Sequence, residues 1–212
     1  MNTLKTILIA MMGTTVLFSC TESKKQEQKQ SASTEEVSQD ATSVAFDQSF
    51  DFDGQKMVVH IPNTSTGNKI TITPEGFENM KEPYEEAIEG IVREGYVADL
   101  DQDGYKELYL FEYSQGSGAY GQVRAYASYS NKSFGPIYMP ELSADLKQGY
   151  MGHDRFVIEG GQLVREFPIY NDSDTNAKPT GGMRTIKYRL EKGEAGMILK
   201  AESGKTGLKI GL

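Results

Sequence analysis

The chain has 212 residues, of which 38% are hydrophobic and 10% aromatic, and its formal net charge is -8. This composition is typical of one globular domain with a tail. The acidic balance argues against a nucleic-acid-binding protein, because such proteins carry basic stripes. No run of eighteen apolar residues follows the first twenty positions, which argues against a membrane-spanning helix in the body of the chain.

The first twenty residues have the pattern of an export signal. Lys5 precedes a short apolar stretch, TILIAMMGTTVLF, over residues 6–18. Ser19 and Cys20 follow it, and Cys20 is the only cysteine of the chain. This resembles a bacterial lipoprotein signal, in which a small residue precedes a cysteine that becomes lipidated; the alternative is an ordinary secretory signal with an incidental cysteine. We expect a signal peptide over residues 1–19, lipidation of Cys20, and a place in the cell envelope on the outer membrane, facing the periplasm or the outside.

Residues 20–45 are expected to form the lipidated cysteine and a disordered tether. The segment 21–45 has no aromatic residue and only scattered Ala and Val, so it cannot bury enough surface to offset the entropy of ordering. The folded domain is expected over residues 46–212, and a lone cysteine leaves it without an internal disulfide.

From residue 46 onward, apolar and polar residues alternate with a period of two, which indicates β-strands. Turn signals such as Asp53-Gly54, Asp103-Gly104 and Gly160-Gly161 separate the strands. The one helix-like segment is 77–90, where Met80, Tyr84 and Ile88 recur at helical spacing. The pattern predicts an all-β fold, an antiparallel sandwich or barrel-like single domain with at most one short helix. The predicted strands cover residues 56–61, 69–73, 91–98, 105–113, 122–129, 155–159, 162–170, 185–190 and 196–202.

The connection after the strand 105–113 is unusual, because it is longer than a typical hairpin loop and carries a large aromatic residue. It reads Ser-Gln-Gly-Ser-Gly-Ala-Tyr-Gly over residues 114–121. Glycine permits backbone angles that are closed to other residues, so we expect Gly116, Gly118 and Gly121 to let the loop project sharply. The alternative is a glycine-rich turn whose tyrosine folds back onto the sheet.

The motif Ser117-Gly118-Ala119-Tyr120 resembles the S-G-x-Y motif of the periplasmic inhibitors of invertebrate-type (I-type) lysozymes. The flanking segments VADLDQDGYKELYLF and AYASYSNKSFGPIYMPEL, and later GYMGHDRFVIEGGQLVREFPIY and NAKPTGGMRTIKYRL, look like strands of the same family. The resemblance covers about residues 70–190. The lipoprotein signal and the long tether depart from the soluble members of the family.

The resemblance implies an antiparallel β-fold whose S-G-x-Y loop enters the active-site cleft of a lysozyme. Lysozymes cleave glycosidic bonds with two carboxyl groups, one of which protonates the leaving oxygen. We expect the Ser117 hydroxyl to take the place of that sugar oxygen, Gly118 to allow close approach, and Tyr120 to fill a sugar subsite. The protein is then an inhibitor and not an enzyme, with lysozyme as its partner; the preferred lysozyme class is left open.

A second candidate site is the acidic segment Asp99-Leu100-Asp101-Gln102-Asp103-Gly104, with Glu107 three residues further on. Alternating carboxylates before a glycine resemble calcium loops. The segment is not an EF-hand, because the twelfth loop position is Leu110 and a strand follows. The alternative to a calcium site is an ordinary Asp-Gly turn. The rival to lysozyme inhibition is a calcium-dependent envelope binding or adhesion module on the same β-scaffold.

The histidines do not predict catalysis. His60 and His153 are far apart in sequence and have no second cysteine beside them, so they form neither a metal-ligand pattern nor a nucleophile–base pair. We expect a solvated His60 and a local hydrogen-bonded pair between His153 and Asp154.

Apart from the calcium hypothesis no cofactor is expected. Pairing of exposed strand edges into a homodimer is left open.

Overall fold

The computed structural model describes residues 44–202 and 204–207. In this part of the chain, thirteen strands form three antiparallel sheets, accompanied by one helix of four residues. The predicted all-β sandwich with at most one short helix is confirmed. The predicted signal peptide, the lipidated Cys20 and the tether as far as residue 43 lie outside the described residues.

The first sheet is a meander in the order β1-β2-β3-β4. Asp53 and Gly54 connect β1 to β2 and both have positive φ (59° and 109°), as a two-residue hairpin turn requires. Along β2 and β3, alternate side chains are buried, which confirms the period of two. The strands of this sheet are β1 (Phe46–Phe52), β2 (Gln55–Ile61), β3 (Asn68–Glu75) and β4 (Tyr84–Ile88).

The helix expected over residues 77–90 is not present, and its second half is the edge strand β4. Tyr84 and Ile88 are four residues apart, a spacing that fits one face of a helix and also one face of a strand, since four is a multiple of two. Pro83 lacks a backbone N–H for helix hydrogen bonds, and β3 offers a pairing edge that β4 uses instead. The prediction of a helix here was therefore wrong.

The middle sheet has the order β5-β6-β7-β8. All seven residues of β6 are buried, because the strand lies inside its sheet and both faces of the sheet are covered. The strand expected over 105–113 begins at Glu107, and that over 91–98 has the predicted bounds. The strands are β5 (Ile91–Ala98), β6 (Glu107–Tyr113), β7 (Gly121–Tyr129) and β8 (Ser133–Ile137).

The third sheet has the order β12-β11-β10-β9, and β13 also pairs with β11. Gly160 and Gly161 (φ 59° and 73°) form the predicted turn between β9 and β10. Among the residues described, no helix is long and apolar enough to cross a membrane. The elements are helix α1 (Ala144–Lys147) and strands β9 (Arg155–Glu159), β10 (Gln162–Pro168), β11 (Met183–Lys192), β12 (Met197–Ala201) and β13 (Lys205–Gly207).

Two hydrophobic cores separate the three sheets. Leu108 and Leu110 of β6 pack into the core shared with the first sheet. Tyr109, Phe111 and Tyr113 pack into the core shared with the third sheet. The middle sheet is thus the central layer, and the loop at the end of β6 projects from a strand whose seven residues are all buried.

Candidate functional site: the loop between β6 and β7

The loop contains seven residues, 114–120, because β6 ends at Tyr113 and β7 begins at Gly121. Its ends are closed by two hydrogen bonds: the Ser114 N–H donates to the Tyr120 carbonyl (2.9 Å), and the Tyr120 N–H donates to Ser114 Oγ (2.9 Å). Inside the loop, the Ala119 N–H donates to the Gly116 carbonyl (3.0 Å). The loop is therefore a closed turn with its own hydrogen bonds.

The loop does not use its glycines as the sequence suggested. None of Gly116, Gly118 and Gly121 has a positive φ, whereas Ala119 does (41°). Gly118 is needed for space: a Cβ there would lie 2.5 Å from Cε2 of Tyr120 and 3.1 Å from the Met151 carbonyl oxygen. The expectation that the glycines supply unusual backbone angles was wrong, and at Gly118 the glycine serves close packing.

The four predicted residues of the motif lie together at the tip of the loop. Ser117 is exposed, and Tyr120 keeps 49% of its surface accessible to solvent. The Tyr120 ring packs edge-on against Tyr150, with 5.6 Å between centroids and 80° between planes. The tyrosine thus leans on the neighbouring segment and is not packed beneath the sheet, so Ser117 and Tyr120 are both reachable from outside.

A buried carboxylate holds the base of the loop. Asp154, immediately before β9, accepts hydrogen bonds from the Gly121 N–H (2.6 Å), the Tyr150 hydroxyl (2.5 Å) and Arg165 Nε (2.7 Å). Arg165 Nη2 also donates to the Tyr150 oxygen (2.9 Å). The side chains of Asp154 and Arg165 are 0% and 7% exposed.

The surroundings of Arg165 explain why this charge is tolerated inside the protein. Its guanidinium carbon lies 5.2–5.5 Å from the ring centroids of Tyr150, Phe156 and Phe167, within the range of cation–π attraction. Burial by itself lowers the pKa of Arg165, but the hydrogen bond and negative charge of Asp154 outweigh it and the pKa is raised. Burial, then Asp154, raises the pKa of Tyr150. The guanidinium therefore stays charged and the phenol stays protonated at neutral pH.

Three further contacts attach the loop to its neighbours. Gln115 Nε2 donates to the Thr64 carbonyl (2.8 Å), between β2 and β3. The His153 N–H donates to the Gly118 carbonyl (2.5 Å). Asn176 Nδ2 reaches the Ser117 carbonyl at 3.4 Å. The loop is thus hydrogen-bonded to the connection between β2 and β3 and to the segments that contain His153 and Asn176.

Sequence reasoning missed Tyr150 and Arg165, and it gave Asp154 a different partner. A signal was available: Arg165 occupies the position between Leu163 and Phe167 in the alternation of β10, where the inward side chain is normally apolar. The predicted pair of His153 with Asp154 is not formed. His153 Nε2 contacts Asn176 Oδ1 (3.1 Å), while Asp154 points to the base of the loop.

The acidic segment is brought together as the calcium hypothesis requires. Asp99, Asp101, Asp103 and Glu107 each place a carboxylate oxygen within 4.8 Å of the others. Oxygens bound to one Ca²⁺ at 2.3–2.6 Å are at most about 5 Å apart, so the spacing fits this ion. Oδ1 of Asp99 is buried and has no hydrogen-bond partner among the residues described.

Part of this cluster is also explained by local hydrogen bonds. Asp99 Oδ2 accepts from the Gly104 N–H (3.0 Å), and Asp103 Oδ1 accepts from the Tyr105 N–H (2.8 Å). Glu107, only 2% exposed, accepts from the Leu100 N–H (2.9 Å) and the Tyr109 hydroxyl (3.0 Å). Burial raises the pKa of Glu107 to about 8 in spite of these bonds, and the nearby aspartates add to the shift. The cluster is therefore electrostatically crowded, which a cation would relieve.

His60 lies on the exposed side of β2, as predicted, with Nδ1 2.6 Å from Asp47 Oδ1. Both side chains are more than half exposed, so this contact contributes little to stability.

No family model matches this chain, and no curated protein or solved structure is significantly similar to it.

Proposed function

We propose that this protein inhibits a lysozyme by inserting the loop that carries Ser117 and Tyr120 into the active-site cleft of the enzyme. The observation that carries the proposal is the exposure of both side chains at the tip of a loop whose base is held by the buried pair of Asp154 and Arg165. The likeness of residues 117–120 to the S-G-x-Y motif supports the same function.

The mechanism is occupancy of the catalytic groups. A serine hydroxyl can accept a hydrogen bond from the protonated carboxyl, as the glycosidic oxygen does during hydrolysis, and it can also donate one to the second, ionised carboxyl. An aromatic ring with a polar tip can fill a sugar subsite and still satisfy a hydrogen-bonding group there. No bond is formed or broken, so inhibition is reversible and competitive with the glycan.

Tight binding is favoured because the base of the loop is already fixed in the free protein. Ordering a mobile loop on binding costs about 0.5–1.5 kcal/mol for each side chain that becomes fixed. Here the loop is closed by its own hydrogen bonds and tied to Asp154, Thr64 and His153 before any partner arrives. The backbone of the loop is therefore ordered before binding, and the remaining ordering cost falls on its exposed side chains.

The location follows from the N-terminal signal. In this proposal, a lipid on Cys20 and the tether over residues 21–45 hold the domain at the cell envelope, where it protects peptidoglycan. Replacement of Cys20 by Ser is expected to abolish incorporation of radiolabelled palmitate, whereas lipidation of the C20S variant would contradict the anchor.

The test is a lysis assay of the purified protein against I-type, C-type and G-type lysozymes. We expect Ser117→Ala and Tyr120→Ala each to weaken inhibition by tenfold or more, on the order of the 2 kcal/mol that defines a hot-spot residue. The matched controls are Ser130→Ala and Tyr129→Ala, because both residues are exposed at the far end of β7. Equal potency of the loop variants and the controls would remove the loop from the mechanism.

A second candidate is calcium-dependent binding, which the buried and unpartnered Oδ1 of Asp99 favours. Bound Ca²⁺ would neutralise the crowded carboxylates and hold the connection between β5 and β6. An ion present at a hundred times its Kd stabilises the folded state by about 2.7 kcal/mol. We expect Ca²⁺ to raise the melting temperature, and Asp99→Asn or Asp101→Asn to abolish the rise.

The two candidates are separable by experiment. An unchanged melting temperature with Ca²⁺ and with chelator would exclude a structural ion. Inhibition of lysozyme that persists in chelator would favour the loop mechanism over a calcium-dependent adhesion module. A protein that binds Ca²⁺ but inhibits none of the three lysozyme classes would favour the rival.

A further inference from the structure

Met151 is an exposed apolar side chain beside the loop. It keeps 42% of its surface accessible, one of only a few large hydrophobic residues in the described ranges to do so. It lies in a segment that we call the strap, residues 149–153, between helix α1 and strand β9. Part of Met151 is covered by its own domain, but the exposed part belongs to a segment that adjoins the exposed Tyr120, and exposed apolar groups that lie together mark interaction sites.

The strap is attached directly to the loop. The point that a Cβ of Gly118 would occupy lies 3.1 Å from the Met151 carbonyl oxygen and 2.5 Å from the ring of Tyr120. The His153 N–H donates to the Gly118 carbonyl (2.5 Å), and the ring of Tyr150 packs against Tyr120. The residues on both sides of Met151 thus contact the loop, so strap and loop form one surface.

The strap also has a defined backbone. Gly152 and His153 both have positive φ (89° and 58°), which turns the chain sharply after Met151. The Tyr170 N–H donates to the Gly149 carbonyl (2.9 Å) at the other end. Met151 is therefore held at a fixed place next to Tyr120 by contacts that do not involve its own side chain.

We infer that Met151 is a second contact residue for the enzyme that receives Tyr120, and that it packs on an apolar part of the rim of the sugar-binding cleft. The inference rests on the proposed function. A partner that surrounds the exposed part of Tyr120 comes close to the strap, because the strap is fixed beside the loop, and Met151 is the exposed apolar side chain of the strap. The unbranched thioether of methionine adapts to irregular apolar surfaces and packs well on aromatic rings, which are common in sugar-binding clefts.

The experiment compares three variants of Met151 and one control variant in the lysis assay, each with a melting curve. Met151→Ala and Met151→Gln remove the apolar contact and are expected to weaken inhibition about five- to tenfold without lowering the melting temperature. Met151→Leu keeps the contact and is expected to stay within twofold of the unmodified protein. Tyr129→Ala is the control, because Tyr129 is equally exposed (43%) at the opposite end of β7.

Oxidation supplies a second readout. Hydrogen peroxide transfers one oxygen atom to the thioether sulfur and leaves as water, which makes the side chain polar. We expect peroxide treatment to weaken inhibition by the unmodified protein but not by Met151→Leu, which retains all the other methionines.

The outcomes separate the inference from the proposed function. If Tyr120→Ala loses inhibition while Met151→Ala and Met151→Gln match the unmodified protein, the inference is overturned and the proposed function stands. If the unmodified protein inhibits no lysozyme of the panel, the proposed function fails and the inference falls with it. Loss of inhibition in Met151→Ala and Met151→Gln, with Met151→Leu and Tyr129→Ala unchanged, supports the inference.

Discussion

At Gly118 the absence of a side chain decides how the tip of the loop is built. The ring of Tyr120 and the main chain of Met151 both approach the place that a methyl group would occupy. Gly116, two residues earlier in the same loop, has nothing within 4 Å of its Cβ position. The two glycines therefore form a natural comparison between a residue that must be small and one that need not be.

We expect Gly118→Ala to displace the Tyr120 ring and to weaken lysozyme inhibition about tenfold, since a hot-spot side chain loses its position. The melting temperature should change little, because the loop is at the surface. Gly116→Ala is the control and should inhibit normally. Dose–response curves of the two variants provide the measurement, and equal curves would show that the position of the ring does not matter for binding.

At the scale of elements, the buried pair of Asp154 and Arg165 joins three parts of the chain. Arg165 belongs to β10, Asp154 precedes β9, and Asp154 also receives the first N–H of β7. A buried pair does not by itself add much stability relative to apolar residues, but removal of one partner leaves the other charge uncompensated. The pair therefore connects these three segments, and the protein loses stability when one partner is removed.

We expect Arg165→Met to lower the free energy of unfolding by about 3–5 kcal/mol, because Asp154 would remain buried without its counter-charge. Arg155→Met is the matched control on the neighbouring strand, since the ion pair of Arg155 with Glu166 leaves the arginine 66% exposed. That variant should lose at most about 1 kcal/mol. Urea unfolding curves measure both, and similar losses would show that the buried pair is no more important than a surface pair.

For the whole molecule, the central position of the middle sheet couples the two cores. Leu110 and Phe111 are neighbours on β6, yet Leu110 packs toward the first sheet and Phe111 toward the third. Because a single buried strand contributes to both cores, neither core can be disrupted without exposing part of the strand that supports the other. The described domain should therefore unfold as one cooperative unit.

We expect Leu110→Ala and Phe111→Ala to shift one common unfolding transition, each by about 2–5 kcal/mol for the lost packing. Calorimetry and circular dichroism followed together provide the measurement. A biphasic curve in which Leu110→Ala moves only one phase and Phe111→Ala only the other would contradict the shared central layer.

The alternation of side chains allowed most of the strands to be predicted from the sequence, since a strand with one buried face has apolar residues at every second position. β5 and β9 have their predicted bounds, and β2, β7 and β11 lie where alternation placed them. The failure at 77–90 has the same origin, because Tyr84 and Ile88 satisfy both periods. Only the pairing of β4 with β3 settles which one applies.

The sequence by itself determined the all-β class and the grouping of Ser117 and Tyr120 in one connection, because these depend on residues that are close along the chain. The sequence left open whether Tyr120 is exposed or folds back onto the sheet, and the structure decided that it is exposed. The tertiary structure alone decided that Asp154, Arg165 and Tyr150 hold the base of the loop and that Met151 lies beside its tip. Those residues come from the connection before β9 and from β10, at least 30 positions from the loop. Contacts between such distant segments arise from the packing of the sheets, which a local pattern of residue types does not specify.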